Sequence, residues 1–495
     1  MSKASARWIA PALLVAASAA CLANGIKFSV AYAARAFGGP FTGKVVVYVS
    51  RSTWGEPRFG PDWFQPDPVV VASFKSVAPG TPMIVSDRGC DGKPGALDTL
   101  EPGDYSVQAV LDRNLGGRQV GASPGNVYSA PKTVHLDPSR AVTVSLKCDK
   151  VIPERTFKDT ARVKGVHLRS KLLSAFYGRP TYLNAAVALP EVWGSRPDRR
   201  FPVVYIAPGF GGTSWELSGA TGDPGTDKDG VPFIEVFLDP DCPTGHSVFA
   251  DSANNGPWGA ALTRELIPYV ERKYRGIGKP WARFTTGHSS GGWTSLWLQV
   301  EYPDFFGGCW STSPDPVDFR SFQGIDLYAP GENMFVDRVG KARPLARFGT
   351  QVAITYRAFS DREWGLRGEQ LGSFEGVFSP RGPDGEPMKL WNRATGAIDP
   401  KVARAWRKYD IDFKLRSQWR TLGPKLKGKL FVVCGSEDTF YLDSAVRLLQ
   451  RDMRAFGSDA VVELRPGDHG SVLTAALRER IEKGMANRVK VHLGK

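Results

Sequence analysis

Residues 287 to 291 read Gly-His-Ser-Ser-Gly, between the short run WARF and the apolar segment TSLWLQV. The spacing fits G-x-S-x-G, a strand-to-helix turn that lifts a serine hydroxyl above a sheet. A serine presented this way is a nucleophile only if the chain also supplies a base, a carboxylate to orient the base, and donors for an oxyanion. Where this elbow carries such a set, the chain order is serine, acid, histidine. That order is a sharp filter here, because the sequence holds six histidines. His135, His167 and His246 precede the elbow, His288 sits inside it, and only His469 and His492 follow. His492 stands three residues from the end of the sequence, where order is poor. His469 lies in the glycine-flanked loop LRPGDHGSV and is the expected base.

The acid is expected at the end of a preceding strand. KLFVVCGSEDTF is a buried-strand pattern running into a turn with Glu437 and Asp438 at its carboxyl end. Asp438 is the first choice, because the shorter side chain suits an imidazole-orienting role there, and Glu437 is the alternative. One oxyanion donor is expected from the amide of Ser290, the residue after the nucleophile. The second is expected in Pro208-Gly209-Phe210-Gly211-Gly212, with Phe210 first and Gly211 next, since glycines let that backbone come close to a substrate.

The elements that must position these residues follow from texture. From Ile26 to about Lys150 the runs IKFSVAYAA, KVVVYVS, PVVVASF, DYSVQAVL and AVTVSLKC alternate or are β-branched, and glycine- and proline-rich turns separate them. They predict an N-terminal all-β, immunoglobulin-like sandwich over residues 24–152. After about Pro153 strands alternate with helices. FPVVYIAPGFGG is a buried strand with a glycine turn, and WGAALTRELIPYVERKY spaces its apolar residues three and four apart. This predicts an α/β domain over residues 153–495, built on a doubly wound, mostly parallel sheet. Between about residues 315 and 425 the alternation loosens into a stretch rich in Arg, Lys, Gly and aromatics, which reads as an ordered lid insertion.

The segments FPVVYIAPGFGG, RELIPYVERKYR, FTTGHSSGGWTSLWLQVEYPDFFGG, FVVCGSEDTF and LRPGDHGSV resemble, in order and rough spacing, the putative-esterase family that includes esterase D and enterochelin esterase-like enzymes. The resemblance spans about residues 160 to 315 and 425 to 480. It implies an α/β-hydrolase fold and a Ser-Asp-His triad, which falls on Ser289, Asp438 and His469. It also implies a small β-sandwich ahead of the hydrolase. Two departures stand out: Pro208 occupies the place of a histidine common in the family, and the insertion before the acid is unusually long.

Composition sets the remaining bounds. Hydrophobic content of 42% and charged content of 23% are those of a globular chain. The net charge of +14 comes without a basic-aromatic binding motif, so no nucleic-acid partner is expected, although a basic exterior steers anionic substrates or envelope polymers. No Cys-x-x-Cys pair is present, so no structural zinc site is expected, and the serine-hydrolase reading calls for neither a metal nor an organic cofactor. Lys3 and Arg7 precede IAPALLVAASAACLA, the pattern of a secretory signal peptide over residues 1–23, with lipidation at Cys21 a minor alternative. The expected location is secreted or periplasmic, and no later segment reaches the roughly twenty apolar residues of a membrane span. Export makes disulfides accessible. Cys90 and Cys148 form a candidate pair; Cys242, Cys309 and Cys434 read as buried small apolar residues, with Cys242–Cys309 left open.

Together these features predict a serine carboxylic-ester hydrolase acting on a small-molecule or polymer-linked ester. Two alternatives stand beside it: an acyltransferase with the same triad, and a non-catalytic envelope- or carbohydrate-binding protein on the same fold. The insertion carries Arg343, Arg347, Arg404, Arg407, Lys408 and Arg416 with Trp364, Trp391, Trp406 and Trp419. One expectation is a solvated basic cap. The sharper one is a lid facing Ser289 that favours anionic or aromatic esters and can be deleted without loss of turnover on a small neutral ester.

Overall fold

The computed structural model describes residues 25–52 and 54–494. Residues 1–23, read from sequence as a signal peptide, and with them Cys21, lie outside the described residues. The N-terminal strands are β1 (Ile26–Tyr32), β2 (Phe41–Ser50), β3 (Val69–Val77), β4 (Met83–Val85), β5 (Gly103–Asp112), β6 (Val127–Ser129), β7 (Lys132–Leu136) and β8 (Val142–Val151). The five runs read from the sequence are all strands. The three missed ones, β4, β6 and β7, have three to five residues and are too short to show an alternation. In β1 the alternation is complete: Ile26, Phe28, Val30 and Tyr32 are buried and the residues between them are not.

These strands form one hydrogen-bonded path, β3-β2-β5-β6-β8-β1-β4, with β7 also on β5. Only β1–β8 is parallel among these pairs. The path is continuous rather than divided into two sheets. It nevertheless folds over itself, because Val45, Val47 and Val107 share one buried cluster with Phe28, Val30, Val144 and Leu146 from the far end of the path.

The second sheet comprises β9 (Val163–Ser170), β10 (Thr181–Ala188), β11 (Val203–Ala207), β12 (Ile234–Leu238), β13 (Arg283–His288), β14 (Gly308–Thr312) and, after the insertion, two further strands. The insertion contributes a hairpin, β15 (Pro344–Phe348) and β16 (Gln351–Thr355). The closing strands are β17 (Leu430–Gly435) and β18 (Val461–Arg465), and the sheet order is β18-β17-β14-β13-β11-β12-β10-β9. The first two strands pair antiparallel and the other six run parallel. Helices cover both faces, as a parallel sheet requires. One face carries Leu262, Ile267 and Val270. They belong to the run read as one amphipathic helix, which is continuous from Trp258 but passes through a π-helical turn (Leu262–Leu266) before α-helix Ile267–Tyr274. Pro268 has no N–H to give the preceding turn, and the widened turn accommodates its ring.

The opposite face is covered by Met485, Ala486 and Val489 of the last helix, beside Val204, Phe284 and Trp310. On the same face as Leu262 and Ile267, the helix after the elbow, Ser290–Glu301, buries Trp293, Leu296, Trp297 and Val300 in the cluster that holds the insertion's Phe319, Phe322, Phe374, Phe378, Trp391 and Trp406. The insertion is therefore a structural part of this core. Its arginines are mostly engaged: Arg343 pairs with Glu332, Arg347 with Asp443, and Arg416 with Asp412. This packing runs against the expectation that the insertion can be deleted with turnover of a small neutral ester intact, since removal would expose the aromatic face of the elbow helix.

All five described cysteines are free. This corrects the Cys90–Cys148 pairing: Cys148 is fully buried with its Sγ directed at the Ala109 carbonyl (3.7 Å), and Cys90 is only half-buried at the edge of the same core. Cys242, Cys309 and Cys434 are buried, as expected of small apolar side chains. Among the described residues no helix is long and apolar enough to cross a membrane.

Candidate active site

The elbow joins β13 to the helix Ser290–Glu301, and Ser289 occupies the corner with φ 59° and ψ −126°. A non-glycine residue in that region is strained and persists only where the surroundings fix it. They do so by close approach. A Cβ on Gly287 would lie 2.3 Å from the Gly291 carbonyl oxygen, and one on Gly291 would lie 2.0 Å from that of Ala207. The glycines flanking the serine are thus dictated by backbone against backbone. The Ser289 amide donates to Thr312 O at 3.0 Å, which ties the corner to the neighbouring strand.

Asp438 follows β17 and is fully buried. Its Oδ1 accepts the Phe440 amide at 2.8 Å, and its Oδ2 lies 2.8 Å from His469 Nδ1. An ionised carboxylate can only accept, so Nδ1 carries the proton and Nε2 is left as the basic nitrogen. Glu437, the alternative, is exposed, and its amide donates to Gly467 O at 3.1 Å. The His469 loop is pinned by Asp468, whose Oδ1 accepts the amides of Gly470 (3.0 Å) and Ser471 (2.8 Å). The Phe440 ring meets the His469 imidazole edge-on at 5.0 Å, and His288 of the elbow tilts against it at 4.5 Å. Burial and the neighbouring His469 push His288 down to about 4, so it is neutral at neutral pH. His492 stacks on Trp281 (4.9 Å) and bonds Arg488 O from the last helix.

The loop Pro208–Gly212 passes beside the serine: a Cβ on Gly209 would lie 3.6 Å from Ser289 Cβ. Ser290 begins its helix, so its amide belongs to the first turn, whose donors have no intrahelical partner. Phe210 and Gly211 follow Gly209, and Gly211 has φ 88°.

Two residues at the site were not singled out from sequence. His246 is buried; its Nδ1 accepts the Val248 amide at 3.1 Å, so its Nε2–H donates to Pro208 O at 3.2 Å. Burial pushes it down to about 3, and this neutral tautomer orients the loop next to the serine. Chain order sets His246 aside as a base, and nothing local in its sequence marks it as a loop anchor. Asp315, also buried, accepts from Ser290 Oγ at 2.5 Å, and burial pushes it up to about 6. It follows β14, and a carboxylate a few residues past a strand end was the only signal available.

Asp318, Asp412 and Asp452 come within 4.8 Å of one another. A guanidinium already joins them: Arg320 Nη2 lies 2.5, 2.9 and 2.7 Å from their carboxylates. The cluster is built around an internal cation of the protein.

The sheet order and the elbow define an α/β-hydrolase-like fold, with the serine corner at the carboxyl end of a central parallel strand. The chain belongs to the putative esterase family, whose model matches residues 180–446. That match contains Ser289 and Asp438 and ends before His469. Three solved structures are similar. A ferulic acid esterase has 16% identity and TM-score 0.41, with 67% of this chain and 100% of that one covered. An S-formylglutathione hydrolase from Agrobacterium tumefaciens has 15% identity and TM-score 0.39, covering 67% and 98%. MPT51 of Mycobacterium tuberculosis has 12% identity and TM-score 0.41, covering 66% and 99%. No curated protein sequence matches the chain.

Proposed function

We propose that the protein is a secreted hydrolase of carboxylic esters that works through Ser289, His469 and Asp438, with the N-terminal strands as a sandwich-like accessory domain. The observation that carries the reading is the buried Asp438 carboxylate on His469 Nδ1, beside an elbow that holds Ser289 at positive φ. Ser289 Oγ attacks the ester carbonyl carbon while His469 Nε2 takes its proton. The oxyanion of the tetrahedral intermediate accepts from the amides of Ser290 and Phe210, or of Gly211 in its place. Collapse expels the alcohol, which receives the proton from His469, and leaves Ser289 acylated. Water then repeats the sequence on the acyl-enzyme and frees the acid. Asp438 keeps the imidazole in the productive tautomer and offsets its transient charge.

The substrate is a small or polymer-linked ester, and the net charge of +14 favours anionic ones by steering. Ser289→Ala is expected to abolish hydrolysis of a phenyl ester and labelling by a fluorophosphonate, with an unchanged unfolding midpoint. A folded variant that still turns over the ester would overturn the assignment.

A further inference from the structure

The loop between β2 and β3 belongs to the N-terminal strands, yet its Trp63 reaches the candidate active site. Asp62 Oδ1 accepts the amides of Phe64 and Gln65, both at 2.8 Å, and so forms a turn that presents the Trp63 ring. From the insertion, Arg362 grips the same turn by donating to Pro61 O (3.1 Å) and Asp62 O (3.0 Å), with its guanidinium 5.6 Å from the Trp63 ring. The ring then meets three others: Phe359 of the insertion at 5.3 Å, Phe210 of the loop beside Ser289 at 5.9 Å, and Phe440 at 6.4 Å. Phe210 follows Gly209, the glycine of the loop that passes beside Ser289, and Phe440 sits edge-on to His469. Trp63 therefore spans from the nucleophile's side of the site to the base's side, and it is only half-buried. Phe210 is held a second time from the N-terminal strands, since Arg118 lies over its ring at 4.7 Å while pairing with Asp241.

We infer that Trp63, flanked by Phe210 and Phe440 and backed by the buried Phe359, forms an aromatic subsite for an aryl group of the ester, so that the N-terminal region sets specificity at the active site of the catalytic region. Trp63, Phe210 and Phe440 come from three separate segments and are each only half-buried, with the latter two inclined at 54° and 71° to the Trp63 ring. Their exposed edges are available to a flat apolar group, while the buried Phe359 fixes Trp63 from behind. The inference rests on the esterase reading above and adds the residue that selects among esters.

The test uses the full chain and three esters: phenyl acetate, with the ring in the alcohol; methyl 3-phenylpropanoate, with the ring in the acyl group; and methyl butanoate, with none. Trp63→Leu keeps apolar volume and removes the ring, while Trp63→Phe keeps a ring. The expected result is that Trp63→Leu lowers kcat/KM on the order of tenfold, through KM, for whichever aryl ester occupies the subsite. Methyl butanoate should stay within about twofold, and Trp63→Phe should restore most of the loss. An equal fall for all three esters, or no fall for either aryl ester, in a variant with wild-type unfolding overturns the subsite. Should the wild type hydrolyse none of them, or Ser289→Ala remain active, the esterase reading itself fails and the subsite with it.

Discussion

The insertion and the N-terminal strands both reach the site from outside the parallel sheet, but different forces hold them. The insertion is fused to the elbow helix by rings: Trp293 meets Phe378 at 5.3 Å, Trp297 meets Tyr409 at 5.7 Å, and Phe378 meets Trp406 at 5.2 Å. The N-terminal strands have their own apolar core and dock through charged and polar bonds together with a few apolar contacts, Trp63 and Phe64 on the insertion and Leu366 on the strands. Arg367 grips Asp112 with two bonds of 2.5 and 2.6 Å, Lys44 reaches Gly365 O at 2.8 Å, and Lys93 pairs with Asp361 at 2.9 Å. Apolar fusion makes a segment inseparable from folding. Polar docking fixes orientation while leaving the two cores distinct, a sensible arrangement where one region supplies a single ring to the other's site.

The largest effect separating these attachments is expected in the insertion. Trp406 is fully buried and its Nε1 donates to Ser379 Oγ at 2.9 Å, so Trp406→Ala should cost about 3–5 kcal/mol in urea unfolding. A cost below about 1 kcal/mol would show that the insertion is not part of the core.

A smaller and more local effect is expected at the dock. Asp112 is 3% exposed, so Arg367→Met leaves an unpaired buried carboxylate and should cost about 3 kcal/mol. Hydrogen exchange in β5 should rise while exchange in β17 does not. The same pair gives the dock a pH dependence. Burial pushes the Asp112 carboxyl up, but its bonds from Arg367 outweigh this and hold it below the ordinary aspartate range. A depressed carboxyl contributes stability that is present above the unfolded value near 4 and is lost as pH falls through the folded value. Acidification below about pH 4 should therefore loosen β5 in the wild type, with a weaker pH response in Arg367→Met. Equal pH responses would remove Asp112 as the cause.

The smallest effect concerns the loop beside the serine. His246→Ala removes the donor to Pro208 O and should lower kcat on the order of tenfold with KM nearly constant, because the loss falls on the oxyanion rather than the bound ester. A change confined to KM would instead place His246 in substrate binding.

Much of the fold was legible, and the reasons are local. Five N-terminal strands announced themselves by alternation or β-branched runs, whereas β4, β6 and β7 were too short to do so. Helix Lys171–Tyr177 follows β9 directly, and LRSKLL carries no local break to mark the change; its cap, Ser170 accepting the Leu173 amide, is a geometric fact. At the site, chain order and a scarcity of histidines selected His469, and the structure places it 2.8 Å from Asp438. The same reasoning passed over His246, whose partner Pro208 is 38 residues away in sequence.

The sequence by itself determined the elbow, because Gly287 and Gly291 are required by contacts within a few residues of the serine and with the adjacent strand. It also determined the parallel sheet, through apolar runs that only burial on two faces explains. The tertiary structure alone decided that the insertion packs into the core of the elbow helix, that the described cysteines stay unpaired, and that Trp63 stands beside Phe210. Those outcomes depend on which distant surfaces meet. Periodicity reports the face a residue turns inward, and it carries no record of what that face will touch.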